Sequence, residues 1–285
     1  MAEVALDPTP TRVGPRRWRV APAGWSVLAE LTGVGPSDGL PELPGAARDD
    51  PDARRRARDG LASAGLLVGG EVAPAVAGSI AVATSAPVRV HGVWRRGQAA
   101  TEAVWGVLDS ACGGVLVRTT APRSDDTATG AVVEVHGALV RDLVGLVAAA
   151  LGLPTLADPP PVDHGPGRGG TGRTARTPDP VEVPVAAGGR PSAWPGRLGA
   201  ALEDPDTPRV TLAVTGPAPA AAWHLVGAAD GWWRLAAHEP TTVTATPVSD
   251  DAGARALAAA LAAQVTAQVT AASATPPRRD AGGRG

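Results

Sequence analysis

Four amino-acid types are missing from this 285-residue chain, which contains no Lys, Asn, Phe or Tyr. All 26 of its basic residues are therefore Arg, and its Phe, Tyr and Trp complement consists of eight Trp alone. Without Lys there is no Walker-A lysine, no Schiff base and no anchor for pyridoxal phosphate. Without Tyr, no phenol can serve as an acid or a base. The missing residues thus exclude several kinds of enzyme before any motif is considered.

Excess charge, cysteine and long apolar runs are scarce as well. The net charge of −2 argues against nucleic-acid binding, which usually goes with a strong basic excess. Cys112 is the single cysteine, so it cannot form an internal disulfide, and we expect it to be a small buried hydrophobe. The longest apolar run, residues 143–153, falls short of the roughly 18 residues of a membrane span. We therefore predict a cytoplasmic protein that does not insert into membranes.

Glycine and proline, by contrast, are abundant, with 36 and 29 residues. They concentrate in three segments, residues 1–17, 158–180 and 271–285, which we predict to be disordered or linking segments because they cannot bury a core. The middle segment contains a formal G-x-G-x-x-G in His164–Gly170. A dinucleotide site needs a strand before this motif and a helix after it. Neither pattern is present, so we predict no cofactor.

The two remaining halves, residues 18–157 and 181–270, carry similar successions of apolar periodicity. The first predicts a helix, four strands and a helix at 74–83, 87–94, 103–109, 114–120, 131–136 and 139–150. The second predicts the same order at 194–202, 209–215, 222–226, 231–238, 242–246 and 254–263. Two further helices are predicted ahead of the first unit, at 23–31 and 52–64.

These patterns predict an α+β fold in which a helix–four-strand–helix unit is used twice. Trp105 and Trp223 stand at equivalent places in the second strand of each unit, and Gly114-Val115 aligns at the same offset with Trp232-Trp233. A duplication of this kind suggests a pseudo-two-fold protein with one continuous sheet. A chance succession of α and β elements is the alternative.

Catalytic and metal-binding patterns are weak. The strand histidines His91, His136, His224 and His238 lie too far apart in sequence for a metal-ligand spacing, and one cysteine gives no support. No serine stands in a G-x-S-x-G elbow. We therefore predict neither a metal nor a catalytic site. An enzyme that uses a strand-face histidine with a carboxylate such as Asp109 or Glu134 is the alternative.

Tryptophan is the most informative residue type that remains. Five of the eight fall in predicted strands, and adjacent Trp232 and Trp233 must point to opposite faces of a sheet. Trp is enriched at binding hot spots, although in this chain it must also fill the core. Trp94-Arg95-Arg96 precedes a predicted loop at 97–101 and is the best single candidate for a partner contact. The candidate partner-binding residues are Trp94, Arg95, Arg96, Trp105, Trp223, Trp232 and Trp233.

The order of segments resembles a known family. A helix with Trp25-Ser-Val-Leu-Ala-Glu-Leu31 is followed by Leu40-Pro-Glu-Leu-Pro44 and by an Arg-rich helix ending in Leu61-Ala-Ser-Ala-Gly-Leu-Leu67. Near the end come Asp230-Gly-Trp-Trp-Arg-Leu-Ala-Ala and the helix 254–263. Over about residues 18–268 the chain is similar to the EspG family of type VII (ESX) secretion-associated proteins. Family members often carry Gly-Arg-Tyr before the late Trp strand, where this chain has Ala222-Trp-His-Leu-Val226.

The resemblance implies a non-enzymatic cytosolic chaperone of actinobacteria, with a quasi-symmetric, mainly antiparallel sheet flanked by helical bundles. Its partner would be a helical secretion substrate, PE/PPE-like or WXG100-like, whose apolar tip is shielded before export. The alternatives are the α+β enzyme with strand-face histidines and a regulatory protein-interaction module.

Overall fold

A computed structural model describes residues 16–35, 38–41, 50–119, 131–153, 180–184, 194–229, 231–239, 242–249 and 252–274. The six helices of these residues are α1 (Pro22–Thr32), α2 (Pro51–Ser63), α3 (Pro74–Ser85), α4 (Val140–Leu151), α5 (Leu198–Glu203) and α6 (Ala252–Ala274). Their twelve strands are β1 (Arg16–Val20), β2 (Leu67–Val68), β3 (Glu71–Val72), β4 (Val88–Arg96), β5 (Ala99–Leu108), β6 (Ala111–Thr119), β7 (Ala131–Leu139), β8 (Val181–Pro184), β9 (Arg209–Thr215), β10 (Ala221–Ala228), β11 (Gly231–Glu239) and β12 (Thr242–Val248).

Ten of the strands form one sheet in the order β1-β7-β6-β5-β4-β9-β10-β11-β12-β8, and β2 and β3 form a separate hairpin. All the neighbours in the large sheet are antiparallel. Strands β4 and β9 pair at the centre, with His91 opposite Ala213, and join the two halves of the chain. The predicted α+β class and the mainly antiparallel sheet are thus confirmed.

Helices cover the sheet on both sides, since the apolar residues of its strands alternate between its faces. On the α4–α6 face, Val90, Trp105 and Leu212 pack with Leu143 and Leu257 in the largest core cluster. On the opposite face, called the α1–α3–α5 face below, two smaller cores lie apart. One packs α1, α2 and α3 on the strands of the first half, and the other packs α5 on those of the second half.

The helix ends follow local sequence signals. Pro stands in the first turn of α1, α2 and α3, where its missing N–H costs no hydrogen bond. The Asp50 carboxylate caps α2 by accepting from the N–H groups of Asp52 and Ala53, at 2.9 and 3.1 Å. Gly152 takes a left-handed conformation, with φ of 61°, and ends α4 as its position predicted.

Glycine lets α3 lie directly on the sheet. A Cβ atom on Gly106 would overlap the carbonyl oxygen of Val82, and one on Gly113 would overlap that of Ser79. Because both obstacles belong to the helix backbone, a side chain on these strands would push α3 away. The close approach of the backbones therefore accounts for glycine at these two positions.

Several predicted boundaries differ from the observed ones. Arg16 and Arg17 belong to β1, although their surroundings predicted disorder through residue 17, and α6 continues to Ala274 instead of ending near residue 263. The predicted turn at residues 110–113 is a two-residue turn, because Leu108 pairs with Ala111 and Asp109 adopts a left-handed φ of 53°. The predicted loop at 97–101 is also a tight turn, because Arg96 pairs with Ala99. Of the predicted linker at 158–180, all but residue 180 lies outside the described residues.

The proposed alignment of Gly114-Val115 with Trp232-Trp233 does not hold in the sheet register. Gly114 lies opposite Trp105 in the β5–β6 pair. Trp232 lies opposite Gly227, not opposite Trp223. The second hairpin is longer between its tryptophan and its turn, which shifts the register without disturbing the order of the strands.

Candidate functional site

The residues of the best predicted partner contact, Trp94-Arg95-Arg96, lie in different environments. The Trp94 side chain is half-buried against the core of the α4–α6 face, beside the end of α4 at Gly152. Arg95 and Arg96 are exposed, but Arg96 Nε donates to the Asp206 carbonyl at 3.2 Å. The adjacent Gly97 N–H donates to the Pro205 carbonyl at 2.9 Å. The turn is therefore tied to the segment before β9, and it is not a long free loop.

Three of the other candidate tryptophans belong to the core. Trp105 is 1% exposed, and Trp223 and Trp233 are each 9% exposed. The prediction that these three residues bind a partner is therefore corrected, because their indoles fill the space between the sheet and its helices. Trp232 is half-buried on the α4–α6 face, whereas Trp233 packs in the α5 core. The predicted opposite orientation of these neighbours is thus confirmed.

The strand histidines separate onto different faces. His91 and His224 lie on the α1–α3–α5 face, where His91 Nε2 is 3.0 Å from Glu102 Oε1 and Thr211 Oγ1 is 3.2 Å from His224 Nδ1. Both histidines are exposed. The hydrogen bond from His91 is the main cause that lowers the pKa of Glu102. His164 and the side chain of His238 lie outside the described residues.

The most unusual arrangement of charge is a cluster around Glu134 on the α4–α6 face. The Glu134 side chain is only 1% exposed, and its Oε1 forms an ion pair with Arg17. The same oxygen lies 3.2 Å from Arg19 Nε and 3.6 Å from Arg118 Nε. The other oxygen, Oε2, lies 3.3 Å from His136 Nε2. We call these five residues the Glu134 cluster.

Burial and charge act against each other in the Glu134 cluster. Burial alone would raise the pKa of Glu134, but the hydrogen bond from Arg17 and the charge of Arg118 outweigh it, so the pKa is lowered. Burial is the largest influence on His136 and lowers its pKa, although its hydrogen bond with Glu134 opposes this. The His136 ring also contacts Trp105, with ring centroids 5.1 Å apart. The geometry therefore favours an ionised Glu134 beside a neutral His136.

Sequence reasoning named Glu134 and His136 but missed the arginines around them. Both pairs, Arg17 with Arg19 and Glu134 with His136, are two residues apart, which places each pair on one face of a strand. That spacing was a usable signal. The sequence contains no signal for the pairing of β1 with β7, because 117 residues separate Arg17 from Glu134.

A second feature lies where α6 passes the β5–β6 turn. A cleft of about 530 Å³ is lined by Asp109, Val265, Gln268, Val269 and Ser273. Val269 is 61% exposed and so presents apolar surface to solvent at this cleft. Arg255 is the only charged residue of α6, so the far half of this helix is uncharged. We call this feature the α6 cleft.

Val269 continues the apolar face on which the sequence places Ala254, Leu257, Leu261 and Val265. The α6 cleft was missed because that continuation is weak, with alanine and threonine between the valines. Within the described part of the chain, no three His, Cys, Asp or Glu side chains come together as metal ligands. None of the described helices, α6 included, combines the length and the apolar character of a membrane span.

Comparison of the sequence with protein-family models finds no match, and comparison with curated proteins finds none either.

Proposed function

We propose that this chain is a cytosolic chaperone that binds a helical type VII secretion substrate, PE/PPE-like or WXG100-like, and shields its apolar tip before export. The single observation that carries the proposal is the α6 cleft. It combines an exposed aliphatic side chain, Val269, with the polar groups of Asp109, Gln268 and Ser273. Sites that bind apolar groups usually pair an apolar lining with a few polar groups that fix orientation.

In this mechanism the client tip packs against α6 and removes Val265 and Val269 from water. Burial of apolar surface stabilises a complex by about 25 cal/mol per Å², so a compact tip gains several kcal/mol from a modest contact. An uncharged helix surface favours this burial, because no ion has to lose its hydration. Gln264 fixes α6 in place, since its side chain accepts from the Ala218 N–H at 2.8 Å and donates to the Ala218 and Pro219 carbonyls.

The order of the strands supports the proposal, because it has the symmetry that the EspG resemblance leads us to expect. Outward from the central β4–β9 pair, one half of the sheet runs β4, β5, β6, β7, β1, and the other runs β9, β10, β11, β12, β8. We infer that the halves are a duplicated unit in which α3 corresponds to α5 and α4 corresponds to α6. The helices α1 and α2 and the β2–β3 hairpin are then an insertion in the first unit.

The alternative of an enzyme with strand-face histidines has one close pair in its favour, Glu134 with His136. Arg17, Arg19 and Arg118 hold that carboxylate, and its pKa is lowered. A carboxylate with a lowered pKa is a poor general base near neutral pH. The pair is better explained as a buried ion cluster that attaches β1 to the sheet. A regulatory module with another partner is the remaining alternative.

Co-purification with the helical secretion substrate encoded beside this chain tests the proposal. The Val269→Asp variant should reduce the recovered client roughly tenfold or more, because its carboxylate would be buried without a partner. Ala263→Asp is the matched control, since Ala263 is exposed on the same helix and lies about 120° from Val269 around the helix axis. Failure of the unaltered chain to retain any such substrate would refute the chaperone function. Equal losses in both variants would refute the α6 cleft as its site.

A further inference from the structure

The arginines of the Glu134 cluster outnumber the carboxylate that they surround. Arg17, Arg19 and Arg118 all point toward one oxygen, Glu134 Oε1. Guanidinium groups stay charged at any physiological pH, so three cations against one anion leave an excess of two positive charges. Cations this close repel one another, and the single buried carboxylate does not neutralise them.

The arginines also retain unused donors. Each guanidinium has five N–H groups, and among the described residues the contacts given for their side chains are those with Glu134. Arg118 Nε is buried and has no hydrogen-bond partner among the described residues. The side chains of Arg17, Arg19 and Arg118 are 43%, 66% and 37% exposed, while that of Glu134 is 1% exposed. The carboxylate thus forms the closed floor of the cluster, and the guanidinium groups form its open rim.

The cluster lies at one edge of the described sheet. Strand β1 is the outermost strand of the described sheet, and its inner side pairs with β7, with Arg19 opposite Glu134 and Arg17 opposite His136. Arg118 is on β6, opposite Val132, which is 38% exposed. The Glu134 cluster is at the far end of the β5–β6 hairpin from Asp109, so it is distinct from the α6 cleft.

We propose that the Glu134 cluster and the outer edge of β1 bind an extended acidic segment of a partner protein, which adds to the described sheet as a strand. Arg17 and Arg19 are two residues apart and lie on the same face, about 6.6 Å from each other along the strand. Acidic residues at alternate positions of an added strand have the same spacing. Each carboxylate can then accept two parallel hydrogen bonds from a guanidinium fork, and the added backbone pairs with the edge.

The same arginines disfavour a second copy of this chain as the occupant. Two β1 strands placed side by side would bring like charges together, which is how natural sheets prevent edge-to-edge association. The opposite edge strand, β8, offers only Glu182 as an acidic residue and ends in Pro184, which lacks a backbone donor. It does not provide the repeated acidic spacing that Arg17 and Arg19 require.

Fluorescence anisotropy with a labelled peptide that alternates Glu with Val tests the proposal, together with an otherwise identical peptide that carries Gln for Glu. The Glu peptide should bind, more weakly as salt rises, and the Gln peptide should bind at least about tenfold more weakly. This comparison uses the unaltered chain, so it does not depend on how any variant folds. Equal affinity for the two peptides, or no binding of the Glu peptide, would overturn the proposal.

Variants then locate the site. Arg19→Gln with Arg118→Gln should weaken binding of the Glu peptide about tenfold or more. Arg58→Gln with Arg234→Gln removes the same charge from exposed residues of α2 and β11 and should leave the affinity within about twofold. An equal loss in the control pair would overturn the site. If inorganic phosphate binds without the peptide, the cluster is a site for small anions and the proposal is wrong. If the chain self-associates and this requires Arg19 and Arg118, the occupant is a second copy of the chain and the proposal is also wrong.

Discussion

The indole of Trp105 lies over Gly114, its direct partner across the β5–β6 pair, and occupies the space that a Cβ atom of residue 114 would take. The second half has a related pair, since the Trp232 ring would lie 3.5 Å from a Cβ atom on its cross-strand partner Gly227. Of these two pairs, the first requires its glycine to make room for the indole, whereas 3.5 Å is ordinary van der Waals contact and the closest obstacle at Gly227 is Pro208 Cγ, at 2.8 Å. A chain without Phe and Tyr thus fits its largest side chain into a sheet that helices cover closely.

The Gly114→Ala substitution should therefore destabilise the protein. Its methyl group would overlap the Trp105 ring, which is 1% exposed and has little room to move. Overpacking of this kind costs about 1–3 kcal/mol in the free energy of unfolding, measurable by urea titration.

Gly145→Ala is the control for this substitution. No described atom lies within 4 Å of the Cβ position of Gly145, on an exposed part of α4. Alanine is favoured over glycine in a helix by about 0.5–1 kcal/mol, so the control should be neutral or stabilising. A Gly114→Ala protein as stable as this control would contradict the packing of Trp105 on Gly114.

Truncation of the two adjacent tryptophans should have unequal effects. Trp233→Ala removes a side chain that is 9% exposed in the α5 core, and should cost about 3–5 kcal/mol. Trp232→Ala removes a half-buried side chain at the margin of the α4–α6 core, and should cost less, about 1–2 kcal/mol. Urea titration of both variants checks the order, and the reverse order would contradict the deeper burial of Trp233.

Local patterns predicted most of the regular structure. Strand β9 was predicted with its observed bounds, because Val210, Leu212 and Val214 alternate cleanly with less apolar residues. Helix α4 was predicted because its apolar residues recur at helical spacing and Gly152 follows them. In both cases the decisive interactions are either local or set by a single buried face, so the sequence of one segment contains the necessary information.

The failures occurred where distant residues decide the structure. Strand β1 is an Arg-rich pentapeptide whose charges resemble a disordered terminus, and it is a strand because Arg17 and Arg19 meet Glu134 across the sheet. For the same reason the Glu134 cluster could not be assembled from the sequence. The tryptophans were ranked by residue type, which cannot separate a core indole such as Trp105 from a half-buried one such as Trp94.

Cys112 should be unreactive in the folded protein. It is 3% exposed, and burial, followed by the charge of Asp142, raises its pKa to about 11. The thiolate is the reactive form, and at pH 8 only about a thousandth of the thiol is ionised at any moment, so its reaction would be slow even if a reagent could reach it. A chromogenic disulfide reagent should give no rapid reaction natively and about one equivalent in urea. The Cys112→Ala variant gives the background signal of the reagent. Complete labelling of Cys112 in the folded protein within seconds would contradict its burial.

His136 should make the protein less stable as the pH falls below about 6.5. Its pKa in the folded state is lowered from the ordinary value of 6.5, chiefly by burial, so the unfolded chain binds the proton more readily. Stability from this group is therefore complete above pH 6.5 and decreases as the pH falls toward the folded pKa. The pKa of Glu134 is lowered from 4.5, which adds a loss of the same sign in more acidic solution.

Urea titrations between pH 7.5 and 5 measure this loss, which for one proton cannot exceed about 1.4 kcal/mol per pH unit. His136→Gln should flatten the dependence in this range, because glutamine retains a donor for Glu134 Oε2 but does not titrate. The variant and the original chain should then differ by a constant amount above pH 7.5, where the histidine is neutral in both states. An unchanged slope in His136→Gln between pH 7.5 and 5 would show that the acid sensitivity arises elsewhere, because Glu134, whose pKa is lowered from 4.5, titrates in more acidic solution.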